Sequence, residues 1–404
     1  MRAAISAFAD LWGARGILVL TLLLCGVTGL ITPYLLGIAG LLLLLWKATD
    51  GTLWLAYRTP AARGFAGVFV VLLTAFAVTA KSPHDVFYVF NFIMLILFTP
   101  FYSALERRRS QNGGLMVARL ALVGALLGVA VSLVMLVYFG PSRRDHGLIG
   151  VIVLSNTAVL LGFLSLLGVT ADHGPRRWMY LLGPIAGVAV ALITHSRGPL
   201  IAIAPLGVIG AIFIVRSLNV SWPLVAGGLV VALAAVAAWV VSLGGRMAQL
   251  PHILWGLLSG DHVADHTTAS RLDLYQAAWH AFQRSPIVGH GWAHLMEAAT
   301  PFLRDPTLAK LPQLHNDVAD FAVAAGLVGV LCYVALLLTP VVAARLSPRD
   351  SQYGLRLYGS VVLSVAYFCD GLTDPMFGFE FHTALYVAIS AILLGYCRDR
   401  EATA

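Results

Sequence analysis

The sequence predicts an all-α, polytopic integral membrane protein, with about twelve transmembrane helices and one large outward loop that contains short helices. Three observations carry this expectation. Of the 404 residues, 59% are hydrophobic and only 11% are charged, a balance outside that of soluble domains. Apolar stretches recur along almost the whole length, giving a mean hydropathy of +0.85. A single long polar interruption, from about Gly244 to Leu314, separates two groups of such stretches.

Nine apolar stretches precede the interruption: Ile17–Leu30, Leu35–Trp46, Phe65–Val78, Val86–Ala104, Leu115–Phe139, Leu148–Thr170, Trp178–Thr194, Leu200–Val215 and Pro223–Leu243. Three follow it, at Val318–Ala344, Leu355–Phe368 and Phe379–Tyr396. Each is long enough to cross or nearly cross about 30 Å of hydrocarbon. The chain thus divides into helices 1–9 over residues 1–243, a polar loop over 244–315, and helices 10–12 over 316–404. Only Ile31, Thr32 and Pro33 separate the first two stretches.

Lysine and arginine near span ends stay on the inner side, so their distribution sets the orientation. Arg2, Arg15, Lys47, Arg58, Arg63, the Arg107-Arg108-Arg109 cluster, Arg119, Arg176, Arg177, Arg216, Arg345, Arg349, Arg356, Arg398 and Arg400 fall on one side of the predicted topology. The other side holds only Lys81, Arg143, Arg144 and Arg197 in its short loops. Both termini are then inside and the polar loop faces outward. The net charge of +7 is a topology signal, not a nucleic-acid footprint. Cys25, Cys332, Cys369 and Cys397 lie in or beside spans and read as buried thiols, without a disulfide framework. Span interiors carry few ionisable residues, which weighs against an ion or proton pathway.

Within the loop, Ser270-Arg271-Leu272-Asp273 resembles a helix start, with Ser270 as N-cap and Asp273 as its capping-box partner. Leu272, Tyr275, Trp279 and Phe282 then recur at helical spacing as one apolar face. Three cationic or titratable residues share a placement beside helix N-termini. Arg197 lies in the tight turn Thr194–Pro199, Arg271 at the start of the loop helix, and His315 immediately before Asn316. Asn316 is a good N-cap for the tenth span, with Asp317 and Asp320 in its first turns. Free backbone N–H groups at such ends favour an anion, and two arginines converging there would make a phosphate site. A lone arginine at a span end is more often an interface anchor, and a lone loop histidine is usually only solvated. Asp261, His262, Asp265 and His266 have a spacing that on a helix could chelate a metal, but Ser259-Gly260 and Thr267-Thr268 around them favour a plain loop.

Further motifs sharpen the reading. Leu314-His315-Asn316-Asp317, running into Ala325-Gly326-Leu327-Val328-Gly329, resembles the His-Asn motif and glycine pattern of the O-antigen ligase superfamily. Arg271 and Trp279 leading to Pro286-Ile287-Val288-Gly289-His290-Gly291 resemble the loop signature of the same family, and Ser196-Arg197-Gly198 resembles its Ser-Arg-Gly turn. Ala324 is a departure, since many members carry an acidic residue there. The resemblance implies a membrane glycosyltransferase of the GT-C-like type in lipopolysaccharide biosynthesis, metal-independent, inverting and without a cofactor. Its donor would be an undecaprenyl-diphosphate-linked O-antigen and its acceptor a hydroxyl of the lipid A core. The site would face the periplasm from the inner membrane. Carried residue by residue, Arg197 and Arg271 match the family's essential arginines and His315 its catalytic histidine.

Such chemistry needs charge stabilisation on a diphosphate leaving group and a base for the attacking hydroxyl. The two arginines suit the first role. An imidazole, which ordinarily titrates near pH 6.5, suits the second. Asp317, Asp320, Asp370 and Asp374 are all candidates for orienting that imidazole, Asn316 is a candidate support, and Lys81 is a further candidate phosphate contact or an interface anchor. The expected partners are donor, acceptor and membrane lipids, with no nucleic acid and no metal. The alternatives are an O-antigen polymerase or a protein O-oligosaccharyltransferase of the same superfamily and, less favoured, a transporter of the lipid-linked glycan.

Overall fold

The computed structural model describes residues 12–50, 53–139, 150–242 and 266–399, and every regular element among them is helical. Nine described helical runs are long and apolar enough to cross a membrane. The first, Trp12–Ala48, is a hairpin. It folds at Gly29, whose φ is +49°, and a Cβ on Gly13 would lie 3.0 Å from the Leu43 side chain, so its arms run antiparallel. We call the arms α1 (12–28) and α2 (Thr32–Asp50). Their turn sits a few residues before the expected Ile31–Pro33 boundary.

The remaining runs are α3 (Pro60–Thr79), α4 (Pro83–Glu106), α5 (Gly113–Phe139), α6 (Val151–Ala171), α7 (Pro175–Ile193), α8 (Leu200–Leu218) and α9 (Trp222–Ser242). After the polar segment come α10 (His266–Arg284), the long α11 (Asp317–Arg345), α12 (Tyr353–Gly371) and α13 (Glu380–Tyr396). Without α10, which lies in the polar segment, and with the hairpin counted as two arms, helices stand among the described residues at each of the twelve apolar stretches, though only nine runs meet the length and apolarity of a span. α12 is less apolar because it carries Arg356 and Asp370, and α13 is short.

α6 and α13 are the most enclosed helices, whereas α9 packs on α8 and is otherwise almost bare. Without a hydrophobic drive between helices inside lipid, close packing depends on small residues. α6 and α7 cross where a Cβ on Gly162 would come within 2.4 Å of the Gly183 carbonyl oxygen. Aromatic rings fill the space around α13, with Tyr386 packed edge-on against Phe65 and Phe377.

α11 is broken at Ala325 and Gly326, the latter with φ +61°. A break inside a span frees backbone groups that must find partners in protein, and the loop Pro286–Gly291 supplies them. His290 N and Gly291 N donate to the carbonyls of Val323 and Ala324 at 2.9 and 2.8 Å, and Leu327 N and Val328 N donate to those of Pro286 and Ile287 at 2.8 and 3.4 Å. Gly289 (φ +70°) and Gly326 face this seam, where a Cβ on either would meet backbone atoms of the other strand at 2.4 Å. The loop signature and the glycine pattern, separate motifs in the sequence, are two halves of one interlock. Ala324, the departure noted above, is fully buried beneath it.

The loop helix departs from expectation in two ways. It is already helical at His266, and Ser270 Oγ donates to the His266 carbonyl at 2.8 Å, so Ser270 is a mid-helix residue and not an N-cap. Asp273 is no capping partner. It is buried and accepts from the backbone N–H groups of Arg304 and Asp305 at 2.9–3.1 Å, tying α10 to the chain that follows it. A long-range partner thus outcompetes the local cap, and Arg271 does not stand at the first turn. The packed face is also different: Leu274, Ala277, Ala278 and Ala281 are buried, while Trp279 is exposed.

Candidate functional site

One turn, Leu372–Phe377, joins α12 to α13 and gathers the candidate residues. His315 leads into α11 with φ +55°, a left-handed conformation that costs a non-glycine residue about 1–2 kcal/mol and is retained where surroundings over-determine it. Four contacts fix it. Asn316 caps α11 by accepting from Ala319 N at 3.1 Å while its amide donates to the Leu372 carbonyl at 3.1 Å. Asp320 accepts from Leu314 N at 2.9 Å. Asp317, fully buried, accepts from Met376 N at 2.9 Å and Phe377 N at 3.2 Å. The Tyr275 hydroxyl lies 2.8 Å from the Leu372 carbonyl and 3.1 Å from the His315 carbonyl, so its single proton is shared between the two.

These bonds set the His315 ring against the turn, with Nδ1 3.3 Å from Asp374 Oδ1. Both side chains remain partly exposed. Of the four aspartates considered from sequence, Asp374 alone reaches the imidazole. Asp317 and Asp320 bind backbone instead. Asp370 is buried, and neither of its carboxylate oxygens has a hydrogen-bond partner among the described residues.

The elements that carry the two arginines both meet this turn. The turn carrying Arg197 is held by Thr194, whose hydroxyl is 2.7 Å from Ser155 Oγ and 3.1 Å from Ser196 Oγ. It abuts the α12–α13 turn closely enough that a Cβ on Gly198 would come within 2.6 Å of Thr373 Oγ1, next to Asp374. Arg271 lies one helical turn before Tyr275. Burial pushes the Tyr275 hydroxyl above its ordinary pKa, and the nearby Arg271 charge partly offsets this. Four residues apart, Arg271 and Tyr275 share one face of α10.

Lys81 lies elsewhere. Its ammonium pairs with Glu297 at 2.9 Å, both exposed, and holds that carboxyl below its usual range together with His294. His294 bridges Glu297 at 2.7 Å and Asp85 at 3.0 Å, fastening the polar segment to the start of α4. His290 similarly bonds the Ala281 carbonyl at 2.9 Å. Asp261, His262 and Asp265 of the possible chelating run lie outside the described residues, and among the described ones no group of three or more His, Cys, Asp or Glu is arranged to hold a metal.

Sequence reasoning missed Tyr275, read only as part of an apolar face, and missed the α12–α13 turn as the common support. Nothing local in the sequence marks either. Asp374 is 59 residues from His315, and the Gly371-Leu372-Thr373-Asp374-Pro375 run was legible only as a turn.

No curated protein matches the chain. Residues 182–334 match the family model described as O-Antigen ligase, a segment that contains Arg197, Arg271 and His315 and stops before Asp374. Over that segment the chain, a multi-pass helical membrane protein, is similar to the O-antigen ligase family, whose members are membrane enzymes in glycan assembly.

Proposed function

We propose that the chain transfers a glycan from a polyprenyl diphosphate to an acceptor hydroxyl, as an O-antigen ligase whose acceptor is the lipid A core on the periplasmic face of the inner membrane. What supports this reading is that His315 lies against Asp374 of the α12–α13 turn, that the turn carrying Arg197 abuts that turn and that α10, which carries Arg271, bonds it through Tyr275, with all three cationic or titratable residues inside the segment that matches the ligase family.

With Nδ1–H donating to Asp374, the Nε2 lone pair of His315 is available as a base. The acceptor oxygen attacks the anomeric carbon, its proton passes to Nε2, and the bond from that carbon to the diphosphate oxygen breaks with its electron pair on the diphosphate. A single displacement inverts the anomeric centre. Arg197 and Arg271 stabilise the charge that develops on the leaving group, the larger demand for a donor already activated. Asn316, Asp317 and Asp320 act on the backbone around the base, not on the substrate.

Purified protein mixed with undecaprenyl-diphosphate glycan and lipid A core tests the reading directly, with products separated by gel mobility. Glycan joined to the core supports it, and lengthened lipid-linked chains would assign a polymerase instead. His315→Ala, Arg197→Ala and Arg271→Ala should each abolish transfer with expression retained. Full activity in all three would refute the site.

A further inference from the structure

We propose that Trp279, Ile287 and Val288 insert into the outer leaflet of the bilayer, so that the polar segment is anchored in lipid and does not stand free above it. The inference is independent of donor and acceptor. It rests on which side chains the fold leaves bare, and on where.

α10 meets the spans through Leu274, Ala277, Ala278 and Ala281. Trp279 points away, 58% exposed, and stacks on Phe282 with ring centroids 5.7 Å apart. Past Arg284 the chain turns and leaves Ile287 67% exposed with Val288 exposed beside it. Three large apolar side chains in ten residues are thus unpacked, although the segment has neighbours on its other side.

The interlock with α11 fixes what lies next to them. The Pro286 and Ile287 carbonyls are bonded to Leu327 N and Val328 N, which places the tip beside Leu327. That residue begins a stripe of exposed residues, Leu327, Leu331, Val334, Leu338 and Val342, spaced by three or four and therefore on one face of the helix. On a membrane span this is the face that meets acyl chains, and Ile287 and Val288 continue it upward.

Depth agrees. About 20 residues rising 1.5 Å each cross the roughly 30 Å hydrocarbon layer. Counted back from Arg345, whose charge marks the far end of α11, the outer edge of that layer falls near Ala325 and Gly326. The loop is bonded at that level. Irregular backbone survives there only where protein satisfies it, as the four interlock bonds do, and tryptophan favours such an interface. A lipid surface is the occupant that this continuity and height describe.

The consequence concerns Arg271. It lies eight residues, roughly 12 Å along α10, from Trp279, so on the reading proposed above the anchor limits how far Arg271 can stand from the lipid that presents the donor diphosphate.

Nitroxide labels on Cys variants of the full-length protein in phospholipid vesicles test this, since Cys25, Cys332, Cys369 and Cys397 are all buried. Ile287→Cys and Val288→Cys would be compared with Leu331→Cys on the lipid stripe and Glu297→Cys on the exposed clasp, reading collisions with oxygen against a water-soluble nickel chelate. Ratios at 287 and 288 nearer that at 331 are expected. Ratios nearer that at 297, or labels shielded from both reagents, would overturn the proposal. Val288→Cys changes volume least and keeps the test available if a label at 287 disturbs the tip.

Discussion

A carboxylate that orients an imidazole must reach its ring, and Asp374 does so at 3.3 Å while Asp317 and Asp320 bond backbone N–H groups instead. Asp374→Asn keeps the shape but removes the charge that favours the productive tautomer, and should lower the transfer rate by about 10²-fold or more. Asp370→Asn should leave the rate close to that of the unaltered chain, because its buried carboxylate holds no hydrogen-bond partner among the described residues. Equal losses in the two variants, measured by initial rates at saturating donor, would show that the 3.3 Å contact does not single out the orienting group. Tyr275→Phe keeps the ring but frees two carbonyls. It should cost about 1 kcal/mol of stability, read by thermal unfolding in detergent, and reduce kcat more than it changes KM, since it supports the base and touches no substrate. Tyr275 was not legible as a site residue because its partners, His315 and Leu372, are 40 and 97 residues away in sequence.

At the scale of elements, the interlock is the least replaceable joint in the polar segment. Gly289→Ala and Gly326→Ala each place a methyl group within 2.4 Å of backbone at a positive φ, where no side-chain rotation gives relief. Each should destabilise by about 1–2 kcal/mol from the conformation alone, with more from the clash, and detergent-solubilised yield and melting temperature should both fall. Gly227→Ala and Gly228→Ala on α9, where an added Cβ meets nothing within 4 Å, should leave both unchanged. Loss of yield in all four would show that the seam is not what sets Gly289 and Gly326 apart. The spans themselves were readable, because hydropathy repeats within every helix and each stretch reports on itself. The start of α10 was not: Ser270 and Asp273 have the spacing of a local cap, but Asp273 is drawn to Arg304 and Asp305, and only the folded chain brings those residues near. The same holds for the α12–α13 turn, whose role depends on contacts from α10, α11 and the Arg197 turn together.

Across the whole molecule, stability and chemistry are placed at opposite ends. α11 runs 29 residues from Asp317 to Arg345, roughly 43 Å at 1.5 Å per residue, so whatever fastens its far end is remote from His315. That fastening is Arg356, fully buried, which donates to Asp350 Oδ1 at 2.7 Å, to the Cys397 carbonyl at 2.8 Å, to Ser347 Oγ at 3.0 Å and to the Pro348 carbonyl. Beside it, Gln352 bonds the Ser110 carbonyl and Gly114 N. The α11–α12 turn, the α4–α5 turn and the end of α13 are thereby stapled together. Removing one partner of a buried ion pair leaves the other charge uncompensated and costs about 3–5 kcal/mol, whereas replacing both with apolar groups is often close to neutral. Arg356→Met alone should therefore lower the melting temperature and the folded yield sharply, and Arg356→Met with Asp350→Leu should recover a substantial part of the loss. The folded fraction of either variant should keep the unaltered kcat and KM, because no bond of this staple reaches the Leu372–Phe377 turn. A fall in kcat that persists after correction for folded protein would mean that the two ends of α11 are coupled, and that the base is positioned by the span as a whole and not by its local contacts.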